Sequence, residues 1–403
     1  MGETIKDVEN MVEKWKFSRN ARELKSSIIR EILKDSSKPG VVNFAGGLPA
    51  PELFPLENLK DACVHVIEHH GSEALQYSLT TGVQALRELI ADRMRKQGAN
   101  VTTDCIQITG GAQQALDIIG RVFLEPGAVV LTETPTYLGA LQAFSFYSPK
   151  FISVQTDAEG VVIDDVELKM REHKPRFIYV VANFQNPTGG CISLKRRQGL
   201  VELARRYDCP IIDDNPYGEL RFAGKTIPSL KALGPECVIE LGTFSKLISP
   251  GLRIGWICSQ PEMQKIIERM KQAMDLHTNT FAQYVIYEFA AAGHLDPHIV
   301  KICRAYGERR DFMVKMMRQY FSRDVQFTEP EGGLFLWVKM PGRISSSQLL
   351  PKAIQNGVAY VPGKFFYSEK EDDTTLRLNF CNATPENIEI GIKRLAEVIN
   401  SAS

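Results

Sequence analysis

Lys246 and the residues around it form a group whose types and spacing could do chemistry. Phe244 and Leu247 are near neighbours of this lysine, so its amine is expected to be partly desolvated. Desolvation disfavours the ammonium form, and a neutral lysine amine attacks carbonyl groups and makes Schiff bases. Two hydroxyls and a guanidinium, donors expected around a phosphate monoester, accompany it: Thr243, Ser245 and Arg253. The group predicts a reactive lysine beside a phosphate site, against the alternative of a surface lysine lying over apolar neighbours.

Glycines and acids that follow other apolar runs add further candidates. Gly110 and Gly111 open a helical segment, where backbone amides and the helix dipole favour an anion. Asp213 and Asp214 end an apolar run, and one of them could keep a heterocyclic nitrogen protonated, as a carboxylate does beneath a pyridinium. Each group has a plain alternative, a chain reversal for the glycines and a helix or turn cap for the acids. The stretch Asn186-Pro187-Thr188-Gly189 is by itself typical of a turn.

These groups need a sheet to bring them together, and residues 105–259 have the pattern of one. Short β-branched apolar runs alternate there with longer segments of helical period, which indicates a parallel sheet covered by helices. The predicted strands are Ile106 to Thr109, Val129 to Thr132, Phe177 to Val181, Ile211 to Asp213, Val238 to Leu241 and Ile254 to Cys258. The predicted helices are Ala112 to Phe123, Leu138 to Phe146 and Leu194 to Tyr207. This is a doubly wound α/β domain, in which ligands bind at the carboxyl ends of the strands.

The last third of the chain has a different pattern, with long helical stretches followed by short, separated strands. Those strands are predicted at Leu334 to Val338, Ala359 to Val361 and Leu376 to Asn379. Thr384 can cap the last helix, and Pro385 suits its first turn. We predict a large domain over residues 57–300, a smaller α+β domain over residues 301–403, and an N-terminal arm, residues 1–56, that packs with the small domain.

Composition limits what the protein can bind. The chain has 403 residues with 48 Lys and Arg against 48 Asp and Glu, so no overall positive field attracts nucleic acid or an anionic membrane. Eight scattered cysteines without a C-x-x-C pair predict reduced thiols, and no apolar run approaches bilayer-spanning length. We therefore expect a cytoplasmic protein without nucleic-acid or membrane partners, in which any anion site is built locally.

In their order along the chain, these groups resemble the class I aminotransferases of fold type I, which depend on pyridoxal 5'-phosphate. The resemblance lies in Gly111-Ala112-Gln113, Tyr137, Asn186-Pro187-Thr188-Gly189, Asp214 to Tyr217, Ser245-Lys246, Arg253 and Arg377. Similarity to the 2-aminoadipate and kynurenine (multi-substrate) branch lies in Ile29-Arg30-Glu31, Ala45 to Pro49 and Gln76-Tyr77-Ser78. The match runs from about Ser27 to the C-terminus. It implies a large domain with a mostly parallel sheet and a smaller α+β domain.

The resemblance also implies a role for each matching residue. Lys246 would bind the cofactor covalently, Asp214 would face its ring nitrogen, and Tyr137 would stack on the ring. Tyr217 and Asn186 would contact the ring hydroxyl. The residues implied to hold the phosphate are Gly111, Ala112 and Gln113 by their backbone, Thr243, Ser245 and Arg253, and Tyr77 from a partner subunit. Family members close to this branch usually carry Ser where this chain has Ala112, so one hydroxyl contact is missing.

Substrate contacts follow from the same resemblance. Arg377 would bind the substrate α-carboxylate, a task suited to a planar bidentate fork, with Asn186 and Gly47 beside it. Arg30 would help to accept acidic side chains. The implied protein is a homodimer with shared active sites. It would move an amino group from an L-amino acid (2-aminoadipate, glutamate, leucine-like or aromatic) to a 2-oxo acid, expected to be 2-oxoglutarate, by a ping-pong mechanism.

Two other kinds of function stay open in the sequence. The same scaffold supports lyases, aldolases and condensing enzymes, because the cofactor supplies the chemistry and the pocket selects the bond that breaks. The stretch His65-Val66-Ile67-Glu68-His69 matches H-x-x-E-H, a zinc-peptidase motif that places two imidazoles on one helix face. That match is short and nothing nominates a third ligand, so we expect a solvated helix face and no metal.

Overall fold

The structure is a computed structural model that describes residues 15–24, 32, 39–342 and 344–402. Its helices are α1 (Arg19–Glu23), α2 (Leu56–Ala74), α3 (Gln84–Lys96), α4 (Ala112–Phe123), α5 (Leu138–Ser145), α6 (Ile163–His173), α7 (Leu194–Arg206), α8 (Leu230–Leu233), α9 (Pro261–Asp275), α10 (Thr280–Ala291), α11 (Leu295–Tyr320), α12 (Ser346–Gln355) and α13 (Pro385–Asn400). Its strands are β1 (Val42–Asn43), β2 (Ile106–Thr109), β3 (Val129–Glu133), β4 (Lys150–Val154), β5 (Thr156–Asp157), β6 (Gly160–Val161), β7 (Phe177–Val180), β8 (Ile211–Asp214), β9 (Val238–Thr243), β10 (Gly255–Cys258), β11 (Gln326–Phe327), β12 (Phe335–Lys339), β13 (Val358–Ala359), β14 (Val361–Pro362) and β15 (Thr375–Asn379). None of the helices so described is long and apolar enough to cross a bilayer.

The main sheet has seven strands in the order β2-β10-β9-β8-β7-β3-β4. All neighbours from β9 to β4 are parallel, whereas β10 is antiparallel to both β2 and β9. The α/β fold class with a mostly parallel sheet is therefore confirmed. Because β10 runs against the other strands, its amino end lies at the edge where their carboxyl ends meet. Residues just before β10 therefore lie at the same edge of the sheet as the residues that follow β2, β3, β7, β8 and β9.

Helices cover both faces of this sheet, so its strands are buried on both sides. In β7, Ile178 and Val180 pack into one apolar cluster, whereas Phe177 and Tyr179 pack into the other. The first cluster includes residues of α6, α7 and α8, and the second includes residues of α4, α5 and α9. Alternate residues of a buried strand therefore face different helices, and the continuous apolar runs in the sequence reflect this double burial.

Within residues 105–259 the prediction missed strands β4, β5 and β6 and helices α6 and α8. Strand β4 is an edge strand in which only Ile152 and Val154 are buried, so its apolar run is weak. Helix α6, which follows the short β5–β6 hairpin, buries only Val166 and Met170, so its helical period is hard to see among charged residues. The six predicted strands and three predicted helices are present, with ends shifted by at most two residues.

A second sheet of four strands, in the order β11-β12-β15-β14, is built from the last third of the chain. The prediction of a single strand from Ala359 to Val361 is wrong, because this stretch forms two short strands that pair with different partners. Strand β13 pairs in parallel with β1 from the N-terminal region, and β14 pairs with β15. Tyr360 lies between them, and its hydroxyl donates to the Ser346 carbonyl. The predicted cap of α13 is confirmed, since the Thr384 side chain accepts from the Asn387 amide and Pro385 begins the helix.

Candidate active site

A cavity of about 1250 Å³ opens where the carboxyl ends of the main-sheet strands meet the four-stranded sheet. The predicted site residues that line it are Gly47, Ala112, Gln113, Tyr137, Asn186, Asp214, Tyr217, Thr243, Ser245, Lys246, Arg253 and Arg377. They come from eight separate stretches of the chain. The sheet edge, and not closeness in sequence, therefore assembles the site.

Lys246 lies in the turn that follows β9, at one wall of the cavity. Its Nζ donates a hydrogen bond to the carbonyl oxygen of Gly47 at 2.7 Å. Burial, together with the positive charges of Arg377 and Arg253, lowers the pKa of Lys246 to about 8. A sizeable fraction of this amine is therefore neutral near physiological pH, as a nucleophile or proton acceptor requires.

Asp214 ends β8, also lines the cavity and is almost fully buried. The Tyr179 hydroxyl donates to its Oδ2 at 2.8 Å, whereas its Oδ1 is buried without a hydrogen-bond partner. Burial raises the pKa of Asp214 to about 7, the Tyr179 hydrogen bond lowers it, and neighbouring Asp213 raises it. A buried carboxylate oxygen without a partner is expensive, so this oxygen fits a donor supplied by a bound group.

The start of α4 forms an anion cradle on the cavity floor. Gly111 occupies the N-cap position with φ of 84°, and no side chain caps this end of the helix. The Arg253 guanidinium crosses the same turn and donates to the Gly110 carbonyl at 3.1 Å. A Cβ on Gly111 would lie 2.5 Å from Arg253 Nη2, so only glycine allows this approach. The free amides of the helix end and the guanidinium together favour a phosphate.

Two hydroxyls complete this cradle. The Thr243 and Ser245 hydroxyl oxygens lie 2.9 Å apart, and Arg253 Nη1 lies 3.5 Å from Ser245 Oγ. Thr243 ends β9, and Arg253 precedes the antiparallel strand β10. The reversed direction of β10 therefore explains how an arginine so placed reaches the phosphate cradle.

Arg377 enters the cavity from β15 of the four-stranded sheet and is 1% exposed. Its Nη1 donates to Asn186 Oδ1 at 2.8 Å and its Nη2 donates to the Ala45 carbonyl at 2.6 Å, whereas Nε is buried without a partner. Phe335 and Phe366 lie 4.1 and 5.1 Å from the guanidinium carbon. Hydrogen bonds and aromatic rings thus fix the guanidinium plane and leave donors for an anion such as a carboxylate.

Two tyrosines, Tyr137 and Tyr217, also line the cavity. Tyr137 immediately precedes α5, and burial, followed by the nearby Asp214 charge, raises the pKa of Tyr137 to about 12. Tyr217 follows β8 and is 5% exposed, and burial also raises the pKa of its phenol. Both phenols therefore stay protonated and can donate hydrogen bonds at neutral pH.

Two predicted residues that the structure describes, Gly111 and Tyr77, are not among the residues that line the cavity. Gly111 lies behind its neighbour Ala112 in the cradle. The Tyr77 side chain is 79% exposed and contacts the His277 ring edge to face, with ring centroids 5.8 Å apart. Arg30 lies outside the described residues.

The H-x-x-E-H motif does not assemble as a metal site. His65 and His69 share α2, with ring centroids 4.2 Å apart. Within the described chain, however, the histidines that come together with a carboxylate are His65 and His70, which meet Glu288 of α10. The group therefore includes His65 of the motif, but His70 and Glu288, which lie outside the motif, in place of His69.

Tyr179 and Phe335 were missed at the sequence level. Tyr179 lies within a fully buried strand, and a buried tyrosine usually needs a partner for its hydroxyl, which was the available signal. Phe335 offered no signal, because its contact with Arg377 depends on how β12 pairs with β15. Six apolar residues that line the cavity were also missed. They are called the apolar outer wall below: Leu24, Leu48, Leu116, Leu138, Ala143 and Phe146.

Comparison with known proteins shows the family of the chain. The family model for aminotransferase class I and II matches residues 40–395. The chain is similar to aromatic-amino-acid aminotransferase 1 of Thermococcus litoralis, with 45% identity over 390 residues, 95% of this chain and 94% of that protein.

The chain is also similar to solved structures of aminotransferases. The chain resembles Pyrococcus horikoshii kynurenine aminotransferase in complex with PMP, with 43% identity, a TM-score of 0.93 and 99% of each chain covered. It also resembles Thermus thermophilus α-aminoadipate aminotransferase complexed with N-(5'-phosphopyridoxyl)-L-leucine, with 36% identity, a TM-score of 0.90, and 96% of this chain and 97% of that chain covered.

Proposed function

Since this chain belongs to the class I and II aminotransferase family, we propose that its cavity transfers amino groups from acidic, aliphatic and aromatic L-amino acids to 2-oxoglutarate. Amino-group transfer with pyridoxal 5'-phosphate is the reaction of the family and of the relatives described above. The proposal concerns the substrates and the residues that act on them. The observation that carries it is a single cavity lined by a lysine of lowered pKa, a buried carboxylate with an unpartnered oxygen, and an anion cradle at the start of α4.

The residues present fit the cofactor. The unpartnered Asp214 Oδ1 can accept a hydrogen bond from the protonated ring nitrogen, and the uncapped start of α4 with Arg253 can hold the phosphate. Lys246 would form the covalent bond to the cofactor. Ala112 contributes only its backbone amide to the phosphate, and the paired hydroxyls of the cradle can supply the donor that a serine side chain would give.

Each residue then has a defined task in the reaction. When bound, pyridoxal phosphate supplies an electron sink for the charge that develops at the substrate Cα. Lys246 Nζ, with a pKa of about 8, can take the proton that leaves Cα and later return it. Asp214 keeps the ring nitrogen protonated, and Arg377 fixes the substrate carboxylate. We expect ping-pong kinetics, in which one 2-oxo acid leaves before the next one enters.

The apolar outer wall supports leucine-like and aromatic side chains. Leu138 begins α5, Phe146 follows its last residue, and Leu24 adds a further apolar side chain from the N-terminal region. The relatives are named for aromatic amino acids, kynurenine and α-aminoadipate, so their names include both aromatic and acidic substrates. Acidic substrates also need a cation that pairs with their side-chain carboxylate, and we propose Arg30 for this role. If Arg30→Ala left the ratio of kcat/KM for 2-aminoadipate and leucine unchanged, this assignment would be wrong.

The reaction is tested by following one half of it at a time. Holoenzyme is mixed with 2-aminoadipate, glutamate, leucine, phenylalanine or kynurenine, without a 2-oxo acid, while the absorbance of the lysine-bound cofactor is recorded. We expect that absorbance to fall and to return when 2-oxoglutarate is added. Lys246→Ala is the control, because it lacks the amine that gives the absorbance. Release of carbon dioxide or of an aldehyde would instead indicate another pyridoxal-phosphate reaction, such as that of a lyase or aldolase.

We further propose that two copies of the chain share their active sites in the cytoplasm. Three large apolar side chains follow α2 and are mostly exposed in the single chain: Leu75, Tyr77 and Leu79 are 73%, 79% and 68% exposed. Such an exposed apolar group supports a surface that a second copy of the chain covers. Mixing Tyr77→Ala with Lys246→Ala subunits tests the idea. If Tyr77 completes the partner's site, hybrid dimers contain one intact site and activity rises above that of either variant. If the sites are not shared, mixing produces no gain.

A further inference from the structure

A cluster of metal-ligating side chains lies away from the cavity, between α2 and α10. His65 Nε2 lies 3.3 Å from Glu288 Oε2, and His70 Nε2 lies 3.0 Å from Glu288 Oε1. The potential ligand atoms of these three residues all lie within 4.8 Å of one another. We propose that this cluster binds a divalent transition-metal ion of the Zn²⁺ class and links the two helices.

The ligand set and its spacing suit such an ion. Two imidazole nitrogens and one carboxylate oxygen form a common three-residue zinc set that leaves the fourth position for water or another ligand. With bonds of about 2.0 Å, the corners of a tetrahedral site lie about 3.3 Å apart. Each imidazole already lies near that spacing from one of the two Glu288 oxygens, His65 Nε2 at 3.3 Å from Oε2 and His70 Nε2 at 3.0 Å from Oε1. Imidazole ligands select against Mg²⁺, which prefers oxygen ligands.

The helices arrange the ligands so that they approach from different directions. His65 and His70 are five positions apart on α2, which places them about 140° apart around an ideal helix. They therefore stand on two sides of the Glu288 carboxylate, which α10 supplies between them. The Tyr284 ring stacks on the His70 ring, with centroids 4.8 Å apart, and its hydroxyl donates to Glu73 at 2.8 Å. This stacking fixes the His70 imidazole before any ion binds.

The electrostatic surroundings also favour an ion. The Glu288 side chain is only 15% exposed, and among the residues described its ion-pair partners are the two imidazoles, not a lysine or arginine. Without an ion, an Nε2 proton of each histidine must face the carboxylate. An ion bound at Nε2 takes the place of each of these protons, which the neutral imidazole then carries on Nδ1, and the ion's charge compensates the carboxylate. The His65 and His70 side chains are 48% and 31% exposed, so the site is open to solvent and an ion can enter.

The proposal is tested by titrating untagged, chelator-treated holoenzyme with Zn²⁺ and, separately, with Mg²⁺ in a calorimeter. We expect one Zn²⁺ per chain and no detectable Mg²⁺ binding. Glu288→Gln and His70→Ala should each weaken Zn²⁺ binding at least about tenfold, because each removes one of three ligands. His69→Ala is the matched control, since His69 is on the same helix beside His65 but outside the cluster, and it should change binding less than about twofold.

A spectroscopic measurement distinguishes coordination from loose surface binding. Co²⁺ added in place of Zn²⁺ should give visible absorption bands of a site with nitrogen ligands, and Glu288→Gln, which keeps the size of the side chain, should remove them. Equal Zn²⁺ affinity in all variants, loss of binding in His69→Ala, or absence of Zn²⁺ binding by the wild type would each overturn the proposal.

Discussion

Tyr179 is the buried partner of Asp214, and its replacement by phenylalanine removes one hydrogen bond while keeping the ring. The Tyr179 hydroxyl donates to Asp214 Oδ2 at 2.8 Å, and neither residue is more than 2% exposed. Burial raises the pKa of Asp214 to about 7, and the Tyr179 hydrogen bond opposes that rise. Tyr179→Phe therefore moves the pKa of Asp214 further upward and favours the protonated carboxyl group.

The size of the effect follows from the charge on the acceptor. A hydrogen bond to a charged group contributes about 1.5–3 kcal/mol, which is about a tenfold to hundredfold change in the proton affinity of the carboxyl group. At about pH 7.5 the wild-type Asp214 is mostly ionised, whereas the variant would be mostly protonated. Because the ionised carboxylate is the form that accepts the protonated ring nitrogen, the dissociation constant of pyridoxal phosphate should rise about threefold to thirtyfold.

The assay is equilibrium titration of cofactor-free protein with pyridoxal phosphate over a range of pH. The ratio of the variant and wild-type dissociation constants should be largest below about pH 7 and approach one only above about pH 10, where Asp214 is ionised in both proteins. Tyr320→Phe is the matched control, because its hydroxyl donates to Glu389 at 2.9 Å on the protein surface. A ratio that is the same at every pH would refute the reasoning.

Stability without the cofactor provides a second readout of the same variant. The pKa of folded Asp214, about 7, lies above its ordinary value of 3.8, so its contribution to stability is full at acid pH and is lost as pH rises through about 7. Tyr179→Phe extends this loss to higher pH. The variant should therefore lose more unfolding free energy, relative to the wild type, at about pH 8 than at about pH 5. Urea denaturation of both cofactor-free proteins at the two pH values measures the difference.

Three further predictions concern other parts of the site. Arg377→Lys should raise KM for amino substrates at least about tenfold in steady-state kinetics, because an ammonium cannot reproduce the fixed planar fork; an unchanged KM would contradict this role. Covalent attachment of the cofactor to Lys246 should accelerate with pH and level off above about 8, and stopped-flow absorbance that kept rising to the ordinary lysine pKa would disagree. Urea denaturation should show that Gly189→Ala loses roughly 1–3 kcal/mol more unfolding free energy than Gly127→Ala. Both glycines have positive φ, but only at Gly189 would a Cβ lie 2.6 Å from the Phe335 carbonyl oxygen. Equal losses would count against this contact.

Local sequence patterns determined most of the large domain. Strand β2 and helix α4 have the predicted limits, because apolar periodicity and the glycine turn between them act over a few neighbouring residues. The capped start of α13 is a local signal of the same kind. Strand β4 escaped prediction because an edge strand is half exposed and carries a weak apolar run. The order of the motifs along the chain was sufficient to indicate the family and its cofactor.

Tertiary structure decided which of these residues meet. Tyr179 and Asp214 are separated by 35 positions, Arg377 and Asn186 by 191, and His70 and Glu288 by 218. Such contacts depend on strand order, on the reversed direction of β10 and on the packing of α2 against α10, and none of these is encoded within a short window of sequence. Burial is also a property of the assembled molecule, so the lowered pKa of Lys246 could be anticipated only as a tendency. Lys246 was therefore recognisable from sequence, whereas the partners that set its protonation, and those of Asp214, appear only once the two sheets are packed together, because desolvation and charge act through space.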